Sequence, residues 1–244
     1  MPTLEQVFTP AQSKRLTPKH KFEGHEKNIW SFVFLHDNEH IVSGSEDGTM
    51  RKWNCDTGLV VGEPWKGEGG GLYALALSPN GKMIACGRED GSVQRWTTDG
   101  ERIEGNWSGH SETVWSLSWS PAGNKIASGS YDGTILIRNA ESGEVAVGPI
   151  KTEQTGVWSL AYSPSGGRIA SGGFNKSICI WNTKTGKRNL LHRFEHNNYL
   201  WSVARSPTSN ILACVGNDGV AQLWDTESHR PFGQPFHQEH HERT

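Results

Sequence analysis

The feature that most constrains the fold of this chain is an internal repeat. Five segments align with one another: NIWSFVF, GLYALAL, TVWSLSW, GVWSLAY and YLWSVAR. Their third residues are all aromatic, are spaced 42 or 43 residues apart, and are Trp30, Tyr73, Trp115, Trp158 and Trp201. Each segment alternates its side chains with a period of two, as an extended strand requires. A fixed period of this length predicts an array of stacked modules that share a continuous core.

Turn signals within each period divide it into further strands. The first strand is followed by SPNG, SPAG or SPSG in the three middle copies, in which Pro presets the second turn position and Gly suits the last. A second strand leads to EDG, EDG, YDG, FNK or NDG, of which Asp-Gly is a strong hairpin signal. A third strand contains Trp53, Trp96, Arg138, Trp181 or Trp224, and Gly- and Pro-bearing stretches follow as outer strands. The pattern predicts an all-β fold of five four-stranded units without long helices.

This order of strands and motifs resembles the WD40 repeat family. Gly24-His25 and Gly109-His110 match the G-H pair of that family, and Trp224-Asp225 matches its W-D pair. The resemblance implies a β-propeller of five blades over residues 22–235. The five copies lie at about 22–64, 65–106, 107–150, 151–193 and 194–235. The SPxG turns also resemble those of WD40 arrays at the C-termini of large fungal NACHT-type sensor proteins.

Two arrangements of the five blades remain open at this point. We favour a self-closed ring, and the alternative is that the chain forms part of a larger propeller. Within the N-terminal tail, 1–21, the segment 14–21 is a candidate outer strand that completes the last blade. The His-rich tail, 236–244, is the start of a sixth repeat, because Phe236 lies 42 residues after Phe194. An open array would expose edge strands that pair with another copy.

The resemblance also implies a structural hydrogen-bonded tetrad of His, Ser or Thr, Asp and Trp in each repeat. The first repeat has the complete set: His25, Ser43, Asp47 and Trp53. The other repeats retain Asp90, Trp96, His110, Ser128, Asp132, Ser171, Trp181, His196, Asp218 and Trp224. At the other tetrad positions the repeats carry different residues: Glu68 and Glu153 replace His, Cys86 and Cys214 replace Ser, Asn175 replaces Asp, and Arg138 replaces Trp. Because the family tetrad is structural, we assign no catalytic residue to it.

The aromatic third residue of each inner strand is the leading candidate for a binding site. The resemblance places the start of the inner strand at the top face of the ring, so these five residues would surround one mouth. The residues before the turn Asp lie beside them and are Glu46, Glu89, Tyr131, Phe174 and Asn217. Trp and Tyr dominate binding hot spots because they bring large area at a small entropy cost. The competing interpretation is that the rings only fill the channel or pack between blades.

We therefore predict a non-catalytic scaffold or recognition module that binds a partner protein or peptide on the top face. The alternatives are a propeller lectin, which would stack sugars on the aromatic rim, and a five-bladed glycoside hydrolase. A hydrolase needs two carboxylates around the scissile bond, and Glu46 and Glu89 are the only acids near the expected mouth. The sequence contains no P-loop, nucleophile elbow or HExxH motif. We expect no enzyme activity and no cofactor.

The composition of the chain limits which classes of partner we expect and where in the cell we expect the protein to act. A net charge of −2 does not favour nucleic acid or an anionic membrane, which need clustered Lys and Arg. No secretory signal or membrane-length apolar run is visible, and the 4 cysteines lack zinc-like spacing. An intracellular, cytoplasmic protein is the expectation. No metal is expected at His237, His240 and His241, since no fixed scaffold holds them.

Overall fold

The chain folds into five antiparallel sheets, one for each repeat. The structure is a computed structural model that describes residues 19–195, 198–228 and 230–237. These residues contain no helix, and thus no helix that is long and apolar enough to cross a membrane. Within each sheet, which we call a blade, the strands follow chain order from one edge to the other. The predicted all-β class and the five four-stranded units are confirmed.

The strand bounds repeat closely from blade to blade. Blade 1 contains β1 (Ile29–Phe34), β2 (His40–Ser45), β3 (Thr49–Asn54) and β4 (Val60–Lys66). Blade 2 contains β5 (Leu72–Leu77), β6 (Met83–Arg88), β7 (Val93–Thr97) and β8 (Arg102–Trp107). Blade 3 contains β9 (Val114–Trp119), β10 (Lys125–Ser130), β11 (Thr134–Asn139) and β12 (Val145–Lys151). Blade 4 contains β13 (Val157–Tyr162), β14 (Arg168–Gly173), β15 (Ser177–Asn182) and β16 (Arg188–Glu195). Blade 5 contains β17 (Leu200–Arg205), β18 (Ile211–Gly216), β19 (Val220–Asp225), β20 (Arg230–Pro231) and β21 (Phe236–His237).

Adjacent blades pack through their inner strands. From blade 2 onward, the first residue of the inner strand is 0% exposed: Leu72, Val114, Val157 and Leu200. Each packs against a glycine in the second strand of the preceding blade: Gly44, Gly87, Gly129 and Gly172. A Cβ atom at Gly129 would lie only 2.6 Å from Val157 Cγ1. Glycine is therefore needed at this position, because any side chain would occupy the space of the neighbouring blade.

The hydrophobic cores lie between blades rather than inside one blade. One buried cluster joins Ile135 and Ile137 of blade 3 to Val157 and Leu160 of blade 4. The other clusters join neighbouring blades in the same way. Each blade therefore depends on its neighbour for the burial of its apolar face, as in other repeat proteins.

The five blades form an open arc rather than the self-closed ring that we favoured from the sequence. Phe32 and Phe34 of β1 are 59% and 65% exposed, whereas the equivalent Leu75 of β5 is 8% exposed. At the other end of the arc, Val215 of β18 is 42% exposed. Within the described part of the chain, no blade covers either end face.

The outer strand of blade 5 comes from the C-terminal segment. The strand β20 pairs with Trp224 and Asp225, and β21 pairs with Val220 and Ala221. The segment 14–21 does not take this place where it is described, because Lys19 Nζ lies 3.4 Å from Asp56 Oδ1 of blade 1. Residues 14–18, His240 and His241 lie outside the described residues, and His237 is exposed in β21.

Candidate functional site

The aromatic residue of each inner strand stands on a β-bulge. In β1, Ile29 pairs with Ser45 and Ser31 pairs with Gly44, so the pairing passes over Trp30. The register shifts in the same way at the other four aromatic residues: Tyr73, Trp115, Trp158 and Trp201. A bulge inserts one residue into the strand and turns its side chain out of the alternation. None of the five is buried, and Trp30 and Trp201 are 44% and 50% exposed.

Three of these residues form a group that we call the first aromatic cluster: Trp30, Tyr73 and Trp115. The Trp30 ring stacks on the Tyr73 ring with the centroids 5.8 Å apart. The Trp115 ring meets Trp30 edge-on at 5.4 Å and lies 4.7 Å from Tyr73. The inner strands of blades 1, 2 and 3 thus bring three of the five predicted aromatic residues into contact with one another.

Two carboxylates lie beside the first aromatic cluster. Burial raises the pKa of the Tyr73 phenol, and the negative charges of Glu89 and Glu46 raise it further. Glu89 Oε2 accepts a hydrogen bond from the Gly71 amide at 3.1 Å, and Glu46 Oε2 accepts one from Asn28 Nδ2 at 3.4 Å. This part of the rim therefore combines aromatic faces with negative charge. Both features attract a cation.

A second aromatic cluster consists of Trp158, Trp201, Phe174 and Tyr199. The Trp158 and Trp201 rings are stacked with the centroids 4.5 Å apart. Phe174 meets Trp158 edge-on at 4.3 Å and Tyr199 edge-on at 4.8 Å. The indole Nε1 of Trp201 donates to Asn217 Oδ1 at 3.1 Å, which holds the exposed ring in place. The structure thus brings the predicted Phe174 and Asn217 to the predicted tryptophans.

Tyr199 is a member of this cluster that the sequence analysis missed. The only signal was its place directly before β17, where the other repeats have Asn28, Gly71, Thr113 and Gly156. The predicted Tyr131 is 46% exposed and lies near the same cluster. A Cβ atom at Gly156 would be 3.3 Å from Tyr131 Cδ2 and 3.2 Å from Trp158 Nε1. Tyr131 therefore lies beside the bulge of the next blade.

The tetrad of blade 1 is complete. His25 Nδ1 lies 2.8 Å from Asp47 Oδ2, and His25 Nε2 lies 2.7 Å from Ser43 Oγ. Trp53 Nε1 donates to the same Ser43 oxygen at 2.7 Å. The side chains of His25 and Asp47 are 2% and 8% exposed. The four polar groups satisfy one another in a buried network, which ties the segment before β1 to its blade.

Asp47 makes this tetrad sensitive to pH. Burial opposes its ionisation, but hydrogen bonds from the Thr49 hydroxyl, the Glu26 amide and His25 outweigh burial and hold the pKa of Asp47 far below its usual range. A depressed pKa in the folded state adds stability above the unfolded pKa of about 4, and this stability is lost as the pH falls. We expect Asp47→Asn to lower the free energy of unfolding by about 1.5 kcal/mol at neutral pH. The reason is that the Asn side-chain NH₂ group would face the hydrogen-bond donors that now surround the Asp47 carboxylate.

Urea unfolding of both proteins across the acidic range tests this expectation. The difference between wild type and Asp47→Asn should shrink below about pH 4, where the wild-type carboxylate loses its advantage. Asp99→Asn, in an exposed turn, is the matched control and should have little effect. A difference that does not change with pH would contradict the assigned role of the charge.

Blade 3 keeps three members of the tetrad. His110 Nε2 lies 2.8 Å from Ser128 Oγ, and His110 Nδ1 lies 3.2 Å from Asp132 Oδ2. Burial lowers the pKa of His110, and the charge of Asp132 opposes that shift. Arg138, which stands where the other blades have Trp, donates to the carbonyl oxygens of Gly143 and Ser108. The predicted loss of the Trp is therefore offset by hydrogen bonds to the backbone.

The alignment of Glu153 with the histidines is wrong, because Gln154 takes their place in blade 4. Ser171 Oγ donates to Gln154 Oε1 at 3.0 Å, Gln154 Nε2 donates to Asn175 Oδ1 at 3.1 Å, and Trp181 Nε1 donates to Ser171 Oγ at 2.8 Å. Glu153 is exposed and has a positive φ of 58°. Its left-handed backbone turns the following residue, Gln154, into the blade.

Blade 2 replaces the tetrad with a different arrangement. The Glu68 side chain is 78% exposed, and Asp90 accepts a hydrogen bond from the amide of its own turn, at Ser92. The guanidinium of Arg88, which is 0% exposed, donates to the carbonyl oxygens of Gly48 and Gly70 at 3.1 and 2.9 Å. The Arg88 side chain thus links blade 2 to a backbone carbonyl group of blade 1. Trp96 is buried as expected.

Blade 5 retains the Trp of the tetrad in a changed setting. Trp224 Nε1 donates to Cys214 Sγ at 3.3 Å, so the thiol takes the place of the serine hydroxyl. Asp218 accepts a hydrogen bond from the Val220 amide at 3.1 Å. His196 lies outside the described residues, so its predicted role stays a prediction.

The five blades coincide with five matches to one family model, described as WD domain, G-beta repeat. The matches cover residues 16–54, 62–97, 102–139, 147–182 and 188–225. This chain belongs to the WD40 repeat family. WD40 repeats typically form scaffolds that bind protein partners, and the family is generally non-catalytic. The four-stranded blades are those of WD40 repeats.

A short part of the chain is similar to a curated protein. The chain is 34% identical over 55 residues to the 66 kDa stress protein of Physarum polycephalum. The match covers 22% of this chain and 9% of the relative, so the chain spans a small part of the length of that protein.

Proposed function

We propose that this WD40 protein recognises an exposed segment of a partner protein across its two aromatic clusters. The observation that carries the proposal is the bulge under each aromatic residue. The bulges keep five aromatic rings out of the hydrophobic cores and place them in two groups. Without a bulge, the regular alternation of the strand would point these side chains towards a neighbouring blade. Exposed rings on a rigid frame are the usual energetic centre of a protein interface.

The first aromatic cluster favours a basic residue of the partner. Tyr73 lies between two other rings and within the field of Glu46 and Glu89. A Lys or Arg side chain placed there would meet aromatic faces and a carboxylate together. Glu46 also faces a cation of its own, since Lys27 Nζ lies 4.0 Å away, so Glu89 is the stronger candidate.

The second aromatic cluster favours an apolar or aromatic residue. Trp201 is 50% exposed, and its polar Nε1 is already bonded to Asn217, so the free ring offers apolar area. The stacking of Trp158 beneath it leaves the ring little freedom to lose on binding. The predicted partner segment therefore carries a basic residue close to an apolar one. No catalytic step is part of this proposal.

Replacing Trp201 with Ala tests the proposal. Peptides selected from a phage-displayed random library on the wild-type protein should bind Trp201→Ala at least about ten-fold more weakly, since hot-spot aromatics contribute more than about 1 kcal/mol each. The melting temperature should change by no more than a few degrees, because half of the Trp201 side chain is exposed and it is not part of the buried core between blades. Phe232→Ala removes another exposed ring of the same blade and is the matched control, with unchanged affinity expected.

A charge variant and a glycan array further test which kind of ligand the two clusters bind. Glu89→Gln keeps an oxygen for the Gly71 amide but removes the charge, so it should weaken peptides that carry Lys or Arg and reduce the salt dependence of their binding. Equal loss of affinity in Trp201→Ala and Phe232→Ala would overturn the assignment of the site. Selective capture of glycans rather than peptides on an array would favour the lectin alternative instead.

A further inference from the structure

The fifth repeat places a charged residue where the other four repeats have an aromatic or aliphatic one. This position is the last of each inner strand, at the opposite end of the strand from the bulged aromatic residue. The first four blades have Phe34, Leu77, Trp119 and Tyr162 there, whereas β17 ends with Arg205. Arg205 is partly buried between blades 4 and 5. A buried charge without compensation is costly, so this departure from the repeat calls for a counter-charge.

The guanidinium of Arg205 has few acceptors within the protein. Its Nη2 donates to Thr226 Oγ1 at 3.1 Å, while its Nε and Nη1 are buried without a hydrogen-bond partner in the described part of the chain. By contrast, the buried Arg88 and Arg138 each donate to two backbone carbonyl oxygens. Of these three arginines, Arg205 is therefore the one whose charge is least compensated by hydrogen bonds.

A second positive charge lies near Arg205. It belongs to Arg168, the exposed first residue of β14 in blade 4. Burial lowers the pKa of Arg205, and the positive charge of Arg168 lowers it further. Among the residues that the structure describes, neither guanidinium forms an ion pair with a carboxylate. Two like charges without a counter-charge favour the binding of an anion beside them.

Both arginines line one cavity between the turns of blades 4 and 5. Its volume is about 410 Å³, within the range of roughly 300 to 1,000 Å³ that is usual for small-ligand sites. The hydroxyl-bearing residues Ser165, Thr208 and Ser209 also line it, and all three are exposed. One carboxylate, that of the exposed Glu227, lies in the same wall. The wall thus carries two positive charges and one negative charge.

We propose that this cavity, which we call the arginine cavity, binds a phosphate group, either as inorganic phosphate or as a small phosphate monoester. A phosphate monoester carries nearly two negative charges at neutral pH and presents three strong acceptor oxygens. Two guanidiniums and several hydroxyl groups match this set of acceptors better than they match a planar carboxylate with one charge. The bound group also supplies the counter-charge that Arg205 lacks. The proposal is independent of the aromatic clusters, which lie at the other end of the inner strands.

Isothermal titration calorimetry of the full chain tests the site, with inorganic phosphate and phenyl phosphate as probes. Wild type should bind one equivalent of phosphate, and acetate should bind more weakly because it carries a single charge. Arg168→Gln should weaken the binding at least about ten-fold, since it removes charge-assisted hydrogen bonds from an exposed position. Tighter binding of phenyl phosphate would identify an ester as the ligand, and tighter binding of inorganic phosphate would identify the free ion. Equal affinities would show that the phosphate group alone is recognised.

Two further variants make the test specific. Arg205→Tyr installs the residue of blade 4 and should also weaken phosphate binding at least about ten-fold. Lys125→Gln is the matched control, because Lys125 begins β10 as Arg168 begins β14, but the next inner strand ends with Tyr162 instead of arginine. It should bind phosphate as wild type does. Circular dichroism checks the fold of each variant, and the exposed Arg168 provides a test even if Arg205→Tyr does not fold.

Four results would each overturn the proposal. They are the absence of saturable phosphate binding by wild type, equal affinities for acetate and phosphate, an unchanged affinity in Arg168→Gln, and the same loss in Lys125→Gln as in Arg168→Gln. The last result would show that phosphate responds only to the net charge of the protein and not to the arginine cavity.

Discussion

Replacing Gly129 with Val is expected to lower the free energy of unfolding by about 3 kcal/mol, at the upper end of the usual cost of overpacking. The added Cβ would lie 2.6 Å from Val157 Cγ1 and 3.1 Å from Leu160 Cδ1, and both neighbours are buried in the core between blades 3 and 4. They have no free volume into which to move. Equilibrium unfolding in guanidinium chloride measures the loss.

Gly167→Val is the matched control for this prediction. Gly167 lies in blade 4, at the turn before β14, and the nearest atom to an added Cβ is Ser165 Oγ at an ordinary 3.7 Å. The same chemical change should therefore cost less than about 1 kcal/mol there, as for most substitutions away from the core. Similar losses at the two positions would show that packing against the next blade does not require glycine at position 129.

Replacing Gln154 with Ala is expected to lower the free energy of unfolding by about 2 to 3 kcal/mol. Gln154 is 3% exposed and joins Ser171, Asn175 and the carbonyl oxygen of Ser177 at distances of 3.0 to 3.1 Å. Removing its amide leaves these buried groups without their partner, and each such loss costs about 1 to 3 kcal/mol before relaxation. Urea unfolding followed by tryptophan fluorescence gives the value.

The adjacent Glu153 supplies the control, because the sequence alignment placed it in the network and the structure does not. Glu153 is exposed, and Glu153→Ala should change the stability by less than about 0.5 kcal/mol. A larger loss from Glu153→Ala than from Gln154→Ala would restore the original alignment. Gln154→Glu should cost at least as much as Gln154→Ala at neutral pH, since it keeps an acceptor for Ser171 but places a buried carboxylate against the oxygens of Asn175 and Ser177.

The tetrads show how far local spacing predicts a site. His25 and His110 both precede their serine partners by 18 residues, so the sequence alone identified these pairs. Gln154 precedes Ser171 by 17 residues, and an alignment by spacing therefore selects the wrong residue. Glutamine is also not a typical member of the tetrad. The segment between Gln154 and Ser171 is one residue shorter than in the other repeats, and the positive φ at Glu153 lets Gln154 still reach Ser171. Such a change of backbone conformation is not visible in a pattern of residue types.

The sequence by itself determined the class of fold and the unit of repetition, because period-two strands and Asp-Gly turns are local properties. It also placed one aromatic residue at the start of every inner strand. Only the tertiary structure decided that these residues stand on bulges and separate into two clusters, since a bulge depends on pairing with the next strand. It alone decided which faces are covered. Phe32 and Leu75 hold equivalent places in the repeat, and only the presence of a neighbouring blade buries one of them and leaves the other exposed.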